Sequence, residues 1–527
     1  MKEKNVKGIT LVALVITIII LLILAGITIM ALTGDNGLFT RAQQAKNKTI
    51  EGQEKEQAAM NGYQEEMDKY ISGISTEEGS WNSSKKVNSP QLMEGMTGIY
   101  WDDSGNEVEI TSTNDDNWYN YDEQKWANAK TQDGSYWVWI PRFAYQIESG
   151  CYTSSKGTIA IKFLQGTSNK DSDGNEISTK YPTVTNGKME DYVVHPSFIN
   201  GKDNNYMNGE WDTELTGYWV AKYAAGYQEC TQTVASNGSI TNPTTDTSKI
   251  KYSDKNYTYN SYSSNAISQN PTTLPKMSYP VFKPLTYAYN CITTGDIYTL
   301  SQEIAKAKDF YGLNSSKTDS HQMKNSEWGA VAYLTQSKYG RNGTEVTINS
   351  KNLSNLNSKN IYAVTGYANS KANDVSASST NNKTGIFDLS GCVWEYTAAY
   401  VPNGNSNLNS YGKSYASTIA NTEGYKTLST KYATAYPYDS SNAGATYNNL
   451  KSITYGFGDA ILETSTRSSG VSSWNNDYSY FPYLSAPFFV RGGSYSNSSG
   501  AGTFAFDVSG GGNSDYYCGF RSVLVAL

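Results

Sequence analysis

Histidine and charge are scarce in this chain. Among 527 residues there are two histidines, His195 and His321, far apart in sequence, which leaves no room for a multi-histidine metal centre. Neither lies in a nucleophile-elbow or similar motif, so Ser–His–Asp chemistry has no local signature. The five cysteines, Cys151, Cys230, Cys291, Cys392 and Cys518, show no C-x-x-C spacing. Neither a zinc knuckle nor a dense disulfide scaffold is indicated; one or two disulfides stay open, with at least one thiol left over. Charged residues make up 17%, and 42 Lys+Arg against 49 Asp+Glu leave a net charge of −7. Without basic clusters, nucleic acid is a poor partner. Proline is sparse at 13 residues, and no solenoid or propeller period is visible.

Neutral polar residues fill the gap. Asn, Ser, Thr, Gly and Tyr occur throughout, and 43 Tyr stand against 14 Phe. Aromatic mass therefore carries a hydroxyl, which suits half-exposed surfaces and binding faces. Apolar residues at 38% are enough for a core. The length points to two to four units or one large α+β domain.

The N-terminus reads as a membrane address. Residues 1–8, MKEKNVKG, hold three lysines and end on Gly8; Ile9 to Leu32 follow without a charge. As a helix this run is about 36 Å long, enough to span a bilayer. Lys2, Lys4 and Lys7 favour the cytoplasmic side, which puts residue 33 onward outside. This arrangement resembles the leader of type IV prepilins. The resemblance implies cleavage after Gly8 by a prepilin peptidase, methylation of Ile9, and a helix that anchors the subunit and packs with other pilin subunits. The family's acidic residue at the fifth mature position is Ala13 here, which favours a tip or minor subunit over a bulk one. Residues 33–37, TGDNG, are turn formers that should break the helix. Met60, Tyr63, Met67 and Tyr70 then recur at helical spacing, so 33–73 reads as a helical spacer.

From Gly73 the pattern becomes β-rich. Residues 74–134 read as a small connecting region, with strand candidates at Gly98–Trp101 and Glu107–Ile110. Residues 136–145, YWVWIPRFAY, and Tyr218–Tyr223 read as strong strands. Leu300–Phe310 and Glu327–Leu334 read as helices. Residues 231–275 and 402–450 are low in apolar content and read as surface insertions.

Six pieces stand in order along the second half: VWIP at 138–141, Tyr218–Ala224, NSEWGAVA at 325–332, GIFDLSGCVWEYT at 385–397, RGGSY at 491–495, and GFR at 519–521. Together they resemble the formylglycine-generating-enzyme, or sulfatase-modifying-factor, family, which has a variant C-type-lectin fold. The resemblance covers about 136–527, so 135–527 is expected to form one such domain. It marks Trp328, Trp394, Glu395, Arg491, Gly492, Gly493, Phe520 and Arg521 as motif residues. Trp394 should be a core anchor, and each arginine should pin a loop by charge-assisted hydrogen bonds. In the family Glu395 helps to bind a structural Ca²⁺, a hard ion that favours oxygen; here the neighbouring Asn is replaced by Cys392. The family's oxidases use two cysteines after this RGGS segment, where Asn497 and Gly502 now stand. No Cu(I) thiolate site follows, and no cofactor is required.

Between Arg491 and Arg521, Phe504, Phe506, Val508 and Phe520 alternate with small and polar residues. This segment resembles the variable region of proteins diversified by diversity-generating retroelements, which use the same lectin-like fold. The resemblance makes 490–521 a variable binding region with Tyr495, Asn497, Ser499, Asp507, Ser509, Gly511, Asn513, Asp515 and Tyr516 facing a ligand. The reading is thus a cell-surface, pilin-like display protein of α+β class. Its lectin-like domain would recognise an extracellular protein or glycan without turnover. Two others stay open: a structural pilin or pseudopilin, and an enzyme with a non-cysteine site on the same fold.

Overall fold

The computed structural model describes residues 11–33, 46–49, 52–53, 80–201, 209–231, 233–234, 240–241, 279–290, 292–354, 361–369, 371–412, 415–416, 428–438, 456–466 and 472–527 except Ser509. The leader with Gly8 and Ile9, the turn run after Thr33, most of the expected spacer, Cys291 and most of both insertions lie outside them.

Two units are distinguished, Met1–Glu77 and Glu78–Leu527. In the first, a helix runs Leu11–Thr33. Thr17 turns its hydroxyl back onto the Ala13 carbonyl at 2.7 Å, so its one polar side-chain group is satisfied within the helix. Side chains are described over residues 13–27 and are exposed, about 22 Å of helix at about 1.5 Å per residue. Among the described residues no helix is long and apolar enough to cross a membrane.

The second unit is a β-rich body with helices set against it. A seven-stranded antiparallel sheet runs in the order Thr318–Gln322, Ser522–Ala526, Gly217–Ala221, Tyr136–Pro141, Asn128–Thr131, Met96–Trp101, Glu107–Glu109. At its centre Trp219 stands opposite Trp139 on one side and Leu524 on the other. Both faces are covered, so Trp137 to Ile140 and Tyr218 to Ala221 are all buried, and these strands read as continuous apolar runs. The expected boundary at 135 is absent: Asn128, Ala129 and Lys130 pair with Val138, Trp137 and Tyr136 across it.

The 136–145 segment is two strands, not one. Tyr136–Pro141 belongs to the large sheet, while Phe143–Ser149 joins Thr158–Phe163 and Val193–Val194 in a second sheet. Arg142 sits at the crossing, buried, and bonds the carbonyls of Ser168, Phe198 and Leu215, the Asn169 side chain and Glu214. A five-stranded sheet is built on Trp394–Tyr400, flanked by Phe488–Arg491, by Thr434–Ala435 and by Cys518–Phe520, with Phe506–Asp507 outside Phe488–Arg491.

The helices also differ from expectation. The first spans Thr294–Glu303, where the Thr293 hydroxyl accepts from the Asp296 amide, an N-cap absent from the Leu300 start. A separate turn, Lys308–Tyr311, ends at Gly312 in the left-handed region. The second helix, Asn325–Gln336, extends the expected one at both ends, and Glu327 caps it through the Lys324 amide at 2.8 Å.

His321 is clamped beneath this helix. Its Nδ1 meets Asp319 and its Nε2 meets Glu327, each at 2.9 Å, and none of the three side chains is appreciably exposed. Burial opposes the imidazolium, yet Glu327 and Asp319 outweigh it and raise His321 to about 9. The folded value exceeds the unfolded 6.5, so this contribution is complete below pH 6.5 and is lost as pH rises through about 9. His321→Gln is expected to cost about 3–5 kcal/mol at the acid end, since two buried carboxylates lose their cation. It should also flatten the fall in thermal midpoint between pH 6.5 and 9; unfolding curves across that window measure both.

Candidate ligand-binding face

The motif residues converge on one frame. Arg521 lies between strands of different sheets, Cys518–Phe520 and Ser522–Ala526. Its Nε and Nη2 donate to the two oxygens of Glu395 at 3.0 and 2.7 Å, and its remaining donors reach the Ala221 carbonyl at 2.6 Å and the Phe387 carbonyl at 2.8 Å. Burial pushes the Glu395 carboxyl up to about 7, with Arg521 pulling the other way. Both oxygens are committed to a guanidinium, and Cys392 is a buried free thiol. This donor set does not fit a Ca²⁺ ion, which corrects the expectation for Glu395. Among the described residues no cluster of His, Cys, Asp or Glu offers a metal site.

Arg491 does the parallel work nearby. It is buried, lies 5.4 Å over the Trp328 ring, and donates to the carbonyls of Asp459, Ala460 and Ala505. Trp328 Nε1 donates to the Thr503 carbonyl at 2.8 Å. Glycines 492 and 493 both adopt positive φ, which turns the chain off the Phe488–Arg491 strand. Phe520 is buried, and Trp394 is 6% exposed.

On this frame the nominated residues separate. Ser499 is exposed; Asn497, Asp507, Asn513, Asp515 and Tyr516 are half-buried. Asn497 also has a local duty, accepting from the amide and hydroxyl of Ser494 at 2.8 and 2.6 Å. Burial pushes Asp507 up to about 6. Asp515 accepts from the Tyr517 amide at 2.9 Å. Tyr516 packs on Tyr517 with ring centroids 3.9 Å apart.

Two nominations are corrected. Tyr495 is buried, stacked on Tyr517 at 5.5 Å within a cluster with Cys392 and Val393. Gly511 is buried at φ +74°, and a Cβ there would lie 2.4 Å from Asn407 Nδ2. Ser509 lies outside the described residues. Small residues between the apolar anchors are not all open: Gly502, Gly511 and Gly512 pack against neighbouring side chains or backbone.

A third stretch, missed by sequence reasoning, completes the face. Tyr478 N donates to Gly500 O, Phe506 N to Tyr478 O and Tyr480 N to Phe506 O, so 478–480 lies alongside the Asp507 strand. Tyr478, Tyr480, Tyr483 and Leu484 are exposed. Trp394 links the parts: its ring meets Tyr478 edge-on at 6.4 Å, and its amide donates to the Tyr517 carbonyl at 2.8 Å. The signal was the alternation of 477–480, DYSY, in which Asp477 and Ser479 are buried and the two tyrosines are not.

No protein-family model matches the chain, and no curated protein matches it. Solved structures of Major Tropism Determinant variants do. The P3c variant is 13% identical over 83% of this chain and 74% of that one, with a TM-score of 0.22. The I1 variant is 13% identical and the U1 variant 14%, each with the same coverage and a TM-score of 0.24.

The face offers recognition chemistry: hydroxyls, amides, carboxylates and aromatic rings. Both histidines lie elsewhere in the core. His195 is buried, bonded through Nδ1 to Ser197 and through Nε2 to the Gly458 carbonyl, and desolvation lowers it to about 3. Asn497 holds the Ser494 turn, and a Cβ on Gly502 would fall 2.0 Å from the Asp477 carboxylate.

The contrast between open and packed positions is testable. Ser499→Tyr should change stability by no more than about 0.5 kcal/mol, as expected of an open surface site. Gly511→Tyr should cost about 1–3 kcal/mol or more through its positive φ and overpacking. Urea unfolding of the two variants checks both.

Proposed function

We propose that this chain is a surface-displayed recognition protein whose C-terminal face binds a macromolecular ligand without turning it over. The observation that carries the reading is that Ser499 is open and Asn497, Asp507, Asn513, Asp515 and Tyr516 are half-buried in a segment whose ends are pinned by two buried arginines. Side chains at such positions vary at little cost to the fold, while the frame keeps their presentation fixed. The lectin-like resemblance of 490–521 to retroelement-diversified regions agrees with this arrangement.

In the same reading the N-terminal helix is a membrane or filament-core anchor, the leader is removed by a prepilin peptidase, and other pilin subunits are the assembly partners. The body then stands outside the cell, on the membrane or near a filament tip. A structural pilin and an enzyme with a non-cysteine site are the competing readings.

Deep sequencing of the gene's 3′ end across the source population tests the proposal. Substitution confined to codons of the open positions, with Arg491, Gly511, Phe520 and Arg521 constant, is the expected result. Equal variation at packed and open positions would contradict a selected face. A uniform sequence would remove the retroelement element and leave a fixed ligand.

A further inference from the structure

The face carries a patch that the variable-region resemblance does not cover. Among the described residues of the second unit, the exposed large apolar side chains are Tyr478 at 38%, Tyr480 at 42%, Tyr483 at 40%, Leu484 at 44% and the terminal Leu527. Four of these five fall within seven residues, so they form a patch rather than the usual scatter.

The patch is held in place. Besides the backbone bonds of 478–480 to Gly500 and Phe506, the Leu484 carbonyl accepts from Asn403 Nδ2 at 3.1 Å and the Ser485 carbonyl from Asn407 Nδ2 at 2.7 Å. Phe481 anchors it from below, 5.0 Å edge-to-face on Phe506. Tyr480 and Tyr483 meet edge-on at 5.7 Å. A tyrosine fixed in this way presents a large amphipathic surface with little entropy left to lose on binding.

Charge decides what it complements. Residues 472–518 contain one cation, Arg491, and three carboxylates, Asp477, Asp507 and Asp515. Arg491 and Asp477 are buried, so the open part of this stretch holds carboxylates and no cation. Asp507, Tyr480 and Tyr483 all lie close enough to Tyr478 to push its hydroxyl up alongside the larger effect of burial. Electron-rich ring faces next to a carboxylate attract a cation and repel an anion.

We propose that Tyr478, Tyr480, Tyr483 and Leu484, beside Asp507, form a docking strip for a protein segment bearing lysine or arginine. This inference rests on the recognition reading above and deepens it: the tyrosines supply the aromatic anchor, and the neighbouring loop residues, Asp507 among them, set which partner is accepted.

The test uses the full chain against arrayed short synthetic peptides of graded Lys and Arg content, with matched peptides carrying Gln in their place and a glycan array alongside. Binding should rise with Lys and Arg. The triple variant Tyr478→Ser, Tyr480→Ser, Tyr483→Ser should lose about 10-fold or more, as expected for aromatic anchors. Asp507→Asn should weaken binding, whereas Asp103→Asn, which changes net charge equally at an exposed turn beside the edge strand of the seven-stranded sheet, should not. Equal binding by wild type and triple variant, equal effects of the two aspartate changes, or binding to glycans or Gln peptides alone would overturn the inference. Those outcomes leave the recognition reading standing, because deep sequencing decides it independently.

Discussion

The bidentate pair between Arg521 and Glu395 is the constraint on which the body depends. Glu395 lies on the central strand of the five-stranded sheet, Ala221 on a central strand of the seven-stranded sheet, and Phe387 on the loop that leads into the Glu395 strand. One guanidinium bonds all three. It does so at the residue where the chain leaves one sheet and enters the other. Such a pair is not a large net source of stability, because desolvating two charges offsets most of their attraction. Its value is geometric: five fixed donors accept one arrangement of carbonyls and carboxylate. Arg142 marks the other sheet crossing in the same manner, with its donors spent on carbonyls, an amide and a carboxylate.

This explains how a face of Ser, Asn, Gly and Asp can be presented at all. Those residues bury little apolar surface and do not order themselves. Here the chain enters the segment from Arg491 and leaves it at Arg521, both buried and each held by three or more hydrogen bonds, so only the length between needs local support. That support comes from the glycines, which pack against Asn407, Asp477 and Phe488, and from Phe504, Phe506 and Trp394. The exposed tyrosine strip sits at the rim of this frame rather than in its core.

Much of the frame was legible in sequence because it rests on rare, chemically constrained residues. Trp394 and Phe520 are buried as apolar anchors, and Arg491 and Arg521 spend their donors on loop carbonyls. The arginine roles follow from a guanidinium needing acceptors wherever it is buried. What was not legible depended on partners distant in sequence. Glu395 as a cation ligand was overturned by Arg521, 126 residues away. Tyr495 and Gly511 were display positions by the variable-region resemblance alone, and only the approach of Tyr517 and Asn407 removes them. The split of 136–145 and the missing boundary at 135 are likewise tertiary effects, set by the burial of Arg142 and by strand pairing across residue 135. The 478–484 strip lay in a stretch without a recognised motif, though its alternation was readable.

A rigid frame carrying a loosely held face makes a dynamic statement, and native-state hydrogen exchange of the full chain tests it most directly. Amides in 394–396, 490–491 and 518–526 should exchange last, as part of the cooperative unit held by Arg521. Amides in 496–500 and 513–517, bonded mainly in local turns, should exchange orders of magnitude sooner while the frame stays closed. If the two sets exchange together, or if 518–526 opens first, the frame does not exist independently of the face, and the account is wrong.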